Sequence, residues 1–313
     1  MNGGGEESKK NQKVFINKNM TKVLVTGAHG LVGSLFVEMF PEYKFLTPDL
    51  PDFDLTNQDS VYKTVLDFNP DWIVNFAAFT DVNAAESGDH TPESPAWKVN
   101  VEGVENLANA FLSDHIIHIS TDMVFSGTVD KPGPYAEYDK TPDSPDKLTW
   151  YGYTKNQAEK VIQKHGGSIL RIIYPVRAKF DGKADYIRGA LKRYASGKMY
   201  PLFSDQQISI AYIDEVSRTL DAIIKQDAKG IYHASSDTTT PYDLIEYTLS
   251  QLGVEPKLEK ASIAEFLKTQ PNPYRYPQYG GLKTINTEKE LGIQFSTWQT
   301  VVEKLIGQGL SLE

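Results

Sequence analysis

Lys22–Gly33, KVLVTGAHGLVG, is the stretch whose reading decides the fold. Lys22–Thr26 is a short run of Val and Leu that reads as a strand, and Gly30–Phe40 reads as a helix. Between them Gly27, Gly30 and Gly33 give the spacing Gly-x-x-Gly-x-x-Gly rather than Gly-x-Gly-x-x-Gly. A strand feeding a glycine-rich turn and then a helix aims backbone N–H groups and a positive helix end at one point, which suits a pyrophosphate. Gly27, His29, Gly30, Leu31, Val32 and Gly33 are therefore candidate dinucleotide-binding residues.

Working outward, strands and helices alternate. Tyr43–Leu46 is a second strand, Gln58–Phe68 a helix, Trp72–Phe76 a third strand and Ala96–Leu112 a long helix. His115–Ile119, the helix Trp150–His165 and Ser168–Ile173 continue the series. Continuous apolar strands separated by helices imply a doubly wound parallel α/β sheet covered on both faces. Tyr186–Ala195, Asp214–Ile224 and Trp298–Ile306 also read as helices, and Thr240 with Pro241 and Asp243 makes a good helix start. Residues 255–297 carry scattered Pro, Gly and Tyr with little periodicity. The expected organisation is a flexible extension over residues 1–20, a dinucleotide-binding domain over 21–175 and a smaller, loop-rich substrate lobe over 176–313, with some of its segments returning to the first domain.

The 313 residues carry a net charge of −9, which argues against nucleic acid or an anionic membrane surface as the main partner. The absence of cysteine excludes disulfides and thiolate metal sites and fits a cytoplasmic protein. No apolar window is long enough to span a membrane. No His/Asp/Glu cluster has metal-ligand spacing, so no metal is expected, and His115 and His118 are assigned to packing or strand-end roles.

Asp49 lies past the second strand, where a carboxylate would bind the adenosine ribose hydroxyls. Asp49, Asp52, Asp54 and Asp59 all precede the next basic residue, Lys63, so a 2′-phosphate would meet repulsion and NAD is expected over NADP.

Tyr-x-x-x-Lys on a helix puts a phenol and an ammonium one turn apart on one face. A nearby Lys⁺ favours the phenolate and should lower the Tyr pKa. The spacing occurs at Tyr151/Lys155, Tyr194/Lys198 and Tyr279/Lys283. Gly197 interrupts the second and Gly280-Gly281 the third. Only Tyr151/Lys155 opens a helix just after Ser120-Thr121 at the carboxyl end of a strand, where ligands of open α/β sheets gather. Thr121 is the expected hydroxyl partner.

Together these segments resemble the extended short-chain dehydrogenase/reductase family and, within it, most resemble the dTDP-4-dehydrorhamnose reductases. The resemblance runs from about Thr21 to Ile306 and is strongest up to Arg171. Thr26–Gly33 (TGAHGLVG), Asp54–Asn57 (DLTN), Ala77–Ser87 (AAFTDVNAAES), Val99-Asn100, Ser120–Gly127 (STDMVFSG), Tyr135–Glu137 (YAE) and Tyr151–Lys155 (YGYTK) carry it in order. It implies a Rossmann-type fold, NAD or NADP, and hydride transfer to C4 of a 4-dehydro-6-deoxy nucleotide sugar. It further implies Tyr151 as proton donor, Lys155 on the nicotinamide ribose and Thr121 on the reacting carbonyl, with Asp54, Leu55, Ala77, Ala78, Phe79 and Asn100 beside the cofactor. Met123, Phe125, Tyr174 and Arg275 are the expected substrate contacts, and a homodimer is compatible with it.

Three departures fall on the substrate side: Ile172–Val176 (IIYPV), Asp205–Ala211 (DQQISIA) and Arg275-Tyr276-Pro277. Asp139–Thr149 is also longer than usual. The alternatives are a nucleotide-sugar epimerase or dehydratase, and a non-catalytic regulatory subunit like that of methionine adenosyltransferase. Met123 follows Thr121-Asp122 where dehydratases carry a Glu, which counts against dehydration.

Overall fold

The computed structural model describes residues 20–312. The extension expected over residues 1–20 lies outside the described residues up to position 19. The main sheet contains β1 (Lys22–Thr26), β2 (Lys44–Leu46), β3 (Trp72–Asn75), β4 (Ile116–Thr121) and β5 (Ser168–Ile172). Three short strands follow: β6 (Pro175–Val176), β7 (Leu202–Phe203) and β8 (Ala211–Tyr212). β9 (Ile231–Ala234) then joins the main sheet and β10 (Lys260–Ala261) is the last. The order is β2-β1-β3-β4-β5-β9, with every pairing parallel. The parallel α/β sheet read from the sequence is the fold found. The sixth strand, β9, was not among the strands read from the sequence.

Alternation along the strands assigns the two faces. Val23, Val25, Val74, Ile117, Ile119, Leu170 and Ile172 pack under α1 (Gly33–Met39) with residues of a later helix, Ile213–Gln226. Leu24, Ile73, Ile116 and Ile169 face α2 (Gln58–Phe68) and the helices that follow β3 and β4. After β3 come α3 (Val82–Ser87), α4 (Pro95–Trp97), a π-helical turn at Lys98–Glu102 and α5 (Gly103–Ala110). The sequence suggested one regular helix from 96 to 112. Its widened turn instead swings Asn100 inward, a geometry that recurs at functional sites. α6 (Trp150–His165) then precedes β5.

The smaller lobe uses α7 (Tyr186–Ala195), α8 (Ile213–Gln226), α9 (Pro241–Gln251), α10 (Ile263–Leu267), α11 (Ile285–Leu291) and α12 (Trp298–Gly307). Leu191, Leu202, Ile210, Leu244, Leu249, Val302 and Leu305 form its own apolar core. α8 and α11 lie instead against the main sheet's cluster, with β9 in the sheet itself. The lobe reaches the cleft through Pro273–Arg275, a single 3₁₀ turn.

Candidate active site

The glycine turn follows β1 directly. Gly27 has φ +65°, and a Cβ there would come within 2.8 Å of Ala77 N, so this position demands glycine twice over. The Gly30 N–H donates to Gly27 O at 3.1 Å, which closes a turn before α1 begins. For that reason the helix starts at Gly33 and not at Gly30. The N–H groups of Leu31 and Val32 have no backbone acceptor among the described residues, and His29 and Gly30 are exposed beside them. Free amide donors on an open glycine turn suit a dinucleotide pyrophosphate. At the outer end His29 Nδ1 sits 3.0 Å from Asp49 Oδ2, both side chains exposed, so these two candidates share one rim.

Asp54 accepts hydrogen bonds from Thr56 N and Thr56 Oγ1 at 2.9 and 2.8 Å, which fixes the loop before α2. Leu55 is enclosed in the core against Gly103. Ala77 and Phe79 hold the loop after β3 in place: Ala77 N donates to Thr26 Oγ1 at 3.3 Å and Phe79 N to Asn100 Oδ1 at 2.7 Å. Asn100 is completely buried, and its Nδ2 donates to Phe79 O and Thr154 Oγ1 at 3.2 and 3.0 Å. With its amide occupied in this way, Asn100 supports the cofactor-side loop and does not present a side chain to the cleft. Ala78 lies between these two anchors, half-buried.

Thr121 ends β4 and caps the 3₁₀ turn Asp122–Val124, its Oγ1 accepting from Met123 N at 3.2 Å. α6 begins next to that turn. Thr149 caps it, and Glu86 of α3 accepts the Trp150 N–H through Oε1. A Cβ on Gly152 would overlap the Met123 carbonyl oxygen, so glycine there lets the helix press against the strand end. The result brings Tyr151 to Thr121, and Met123 and Phe79 pack against the cluster that Tyr151 forms with Ala85, Ala96 and Trp150. Tyr151 is 9% exposed, so its ring is inside the protein and not directed into solvent.

Electrostatics depart from the sequence expectation. The Tyr151 phenol is held above its ordinary pKa by burial and then by the Asp122 carboxylate, with the Thr121 hydrogen bond acting in the opposite sense. Lys155 does not lower it here. Its Nζ lies under β4, where it donates to Ile119 O at 2.7 Å and sits 2.8 Å from His118 Nε2. Burial brings the Lys155 ammonium down to about 7, opposed by the Glu159 carboxylate. Burial likewise pushes Asp122 up to about 7, against hydrogen bonds from Thr121 and the backbone of Asp122 and Met123. Asp122 was not singled out from the sequence. The acidic member of the STDM run was its signal.

The substrate candidates divide. Tyr174 adopts φ +38° and remains 37% exposed, its ring 5.0 Å from Tyr186. Enclosure of its hydroxyl and the Asp122 carboxylate push it up to about 12, while the Arg275 charge pulls the other way. The Tyr174 hydroxyl thus feels both the Asp122 and the Arg275 charge. Arg275 donates to Asn83 Oδ1 of α3 from Nε and Nη2 at 3.2 and 2.9 Å, and Asn272 Nδ2 donates to Glu86 Oε2 at 2.7 Å. These contacts tie the lobe's 3₁₀ turn across the cleft to α3, and nothing in the sequence marked Asn83, Glu86 or Asn272 for that task. Phe125 is 4% exposed, stacked on Tyr135 at 4.0 Å with Arg171 above it, and it lines a cavity together with Tyr135 and Tyr274.

The rejected Tyr–Lys pairs are not helical pairs, since α7 ends at Ala195 and Tyr279 lies in an extended bridge. Among the described residues no group of three or more His, Asp or Glu is placed to hold a metal, and no helix is long and apolar enough to cross a membrane.

The dTDP-4-dehydrorhamnose reductase of Sinorhizobium fredii is 28% identical over 302 residues, covering 91% of this chain and 96% of that protein. A dTDP-4-dehydrorhamnose reductase from Bacillus anthracis solved with NADP superposes with TM-score 0.77 at 23% identity, covering 92% of this chain and 99% of its own. The Bordetella bronchiseptica enzyme WbmH, solved with NAD+, does so with TM-score 0.71 at 15% identity, covering 92% and 98%. Both dinucleotides therefore occur among proteins of this shape, and the preference for NAD read from the acidic run finds no support in them. The family model described as RmlD substrate binding domain matches residues 20–310 of this sequence, and the chain belongs to that family.

Proposed function

We propose that this chain is an oxidoreductase that uses NADPH or NADH to reduce the 4-keto group of a 4-dehydro-6-deoxy nucleotide sugar. The observation that carries the reading is the meeting of Thr121 and Tyr151 inside the cleft at the carboxyl end of β4, on the same sheet edge as the glycine turn. The name shared by the relatives, dTDP-4-dehydrorhamnose reductase, supports the substrate class.

A bound dinucleotide would supply the hydride through its nicotinamide ring. Tyr151 would deliver the proton that converts the reduced carbonyl oxygen to a hydroxyl. Its raised pKa keeps that proton on the phenol at neutral pH, which a general acid requires at the start of a turnover. The Thr121 hydroxyl would donate a second hydrogen bond to the same oxygen. Lys155 would bind the nicotinamide ribose with an N–H not taken by Ile119 O. Tyr174 and Arg275 would face the sugar nucleotide, the guanidinium meeting its diphosphate. Asp49 would bind the ribose hydroxyls. Its exposure to solvent screens the repulsion of a 2′-phosphate, so both dinucleotides are accepted. The proposed setting is the cytoplasm, with a homodimer as the assembly to test by light scattering.

The test is oxidation of NADPH and of NADH against a panel of 4-keto-6-deoxy nucleotide sugars. Turnover on a member, abolished in Tyr151→Phe, is the expected result. Silence across the panel, with a stable complex to a larger enzyme, would replace this reading with a regulatory one.

A further inference from the structure

Thr26, Asn75, His118 and Lys155 form a row of buried polar side chains, and the reduction itself gives His118 no task. Thr26 stands opposite Asn75, and Asn75 opposite His118, on the adjacent strands β1, β3 and β4. The three continue the alternation of Leu24, Ile73 and Ile116 and so face the side covered by α6. There Lys155 Nζ lies 2.8 Å from His118 Nε2. None of the four is more than 2% exposed.

Cut off from solvent, donors and acceptors have to match within the row. Thr26 sets the direction. Its Oγ1 already accepts the Ala77 N–H at 3.3 Å, so its own proton needs an acceptor. The 2.5 Å separation from Asn75 Oδ1 lies within the range of O–H···O bonds and below that of N–H···O bonds, so the amide turns its oxygen to Thr26. Asn75 Nδ2 is thereby directed at His118 Nδ1, 2.9 Å away, and donates to it. Burial holds the ring well below its usual pKa, so it is neutral and has one proton. With Nδ1 accepting, that proton sits on Nε2.

The Nε2–H meets Lys155 Nζ. An ammonium would face it donor to donor at 2.8 Å, whereas the neutral amine has a lone pair to receive it. We propose that His118 is a positioning residue that donates its Nε2–H to Lys155 and holds it as the neutral amine, in the tautomer that Thr26 and Asn75 impose. The proposal rests on the reading of Lys155 as part of the reductase site. Besides its lone pair the amine has two N–H bonds. One goes to Ile119 O at 2.7 Å, and the other is left for the ribose. Lys155 then holds the cofactor by a hydrogen bond and not by charge, and the Tyr151 proton stays where a general acid needs it.

The charged groups that face Lys155 are few. On α6 Glu159 lies one turn further along, and Arg171 of β5 holds it through Nε and Nη2 at 2.8 and 2.6 Å. Glu159 favours the ammonium, but burial outweighs it. Tyr151 lies one turn before Lys155, its phenol kept protonated by burial, and Asp122 past the end of β4 acts on Tyr151. From β1 and β3 the row receives only the uncharged Thr26 and Asn75.

The experiment reads both partners by NMR in the full chain without dinucleotide. The His118 ring nitrogens are identified by their loss in His118→Gln or by cross-peaks to Lys155, and the Lys155 ¹³Cε by its loss in Lys155→Met. In the wild type the ring proton is expected on Nε2. At about pH 9, where a free lysine is charged, Lys155 is expected as the amine. Thr26→Val removes the hydroxyl that holds the Asn75 oxygen, two side chains away from Lys155 and with no change of charge. The amide is then free to turn and offer its oxygen to an Nδ1–H, which leaves Nε2 to accept from an ammonium. The ring proton therefore moves to Nδ1 as the lysine charges, and the Lys155 midpoint rises by about half a pH unit or more, roughly threefold. Thr26→Ser keeps the hydroxyl and holds the midpoint within about 0.2 units of wild type. A proton on Nδ1 in the wild type, a charged Lys155 at about pH 9, or a midpoint that stays or falls in Thr26→Val overturns the proposal. Should Thr26→Val fail to fold, the two wild-type signals decide the matter. Absence of turnover on every keto sugar would remove the reductase reading and leave these spectra unchanged.

Discussion

On the sheet side of the cleft, Thr26, Asn75, His118 and Lys155 are each at most 2% exposed, and strand register or helix pitch fixes every one of them. On the lobe side Tyr174 is 37% exposed and Arg275 is held by a single exposed amide oxygen on Asn83. The contrast separates two tasks. Proton and hydride chemistry needs groups whose positions and pKa values do not drift, and burial among matched partners provides that. Recognition of a variable sugar needs a surface that can be rebuilt, and short loops tied by one or two hydrogen bonds provide that.

The strongest test of the rigid side is Tyr151→Phe. Loss of a general acid should lower kcat by roughly 10² to 10⁴-fold while dinucleotide affinity, read by fluorescence titration, stays within about twofold. A kcat near wild type would break the division at its centre.

Lys155→Met sharpens it through stability. Lys155 binds its proton less tightly in the folded chain, at about 7, than at the ordinary value of 10.5 in the unfolded chain. Between those values the unfolded state therefore holds more protons, and wild-type stability rises with pH from about 7 to 10.5 and is flat with respect to this group below. Lys155→Met should lose that slope and be more stable at pH 7, by on the order of 1.4 kcal/mol for each pKa unit removed. Urea melts at neutral and alkaline pH read the difference. A slope that survives the substitution would show that the cost does not lie at Lys155.

On the lobe side the expected effects are smaller and of another kind. Arg275→Ala and Asn83→Ala should each raise the sugar-nucleotide KM by about tenfold and leave kcat within about twofold, as loss of a charge-assisted hydrogen bond does when it acts equally on ground and transition states. A fall in kcat with KM unchanged would place these residues with the chemistry. Smallest of all, Asp49→Ala should shift the NADPH to NADH affinity ratio by about threefold toward NADPH, since an exposed charge is largely screened. Competitive binding measurements at low and moderate salt would show whether that repulsion is felt.

The two sides also differ in how far they could be read in advance. α2 and α6 occupy the spans expected from their periodicity, and β1 and its turn were plain in KVLVTG. Tyr151, Lys155 and Thr121 were legible because helix pitch and a strand end dictate their proximity. The stacking of Phe125 on Tyr135 was not legible, because an aromatic after a strand carries no mark of which ring it will meet. Asn100 was taken for a cofactor contact because a π-helical turn, which turns it inward, leaves no mark in a pattern of apolar spacing. The Asn272–Glu86 and Arg275–Asn83 contacts join residues 186 and 192 positions apart, and no local rule reaches that distance.

The sequence by itself determined the parallel sheet, the glycine turn and the Tyr–Lys helix, since each follows from backbone geometry and periodic burial within a few dozen residues. Tertiary structure alone decided what surrounds Lys155. A histidine at the middle of an apolar strand becomes the partner of Lys155 only when three strands come into register and a helix is laid across them, because a buried polar group takes whichever partner the packing brings within reach.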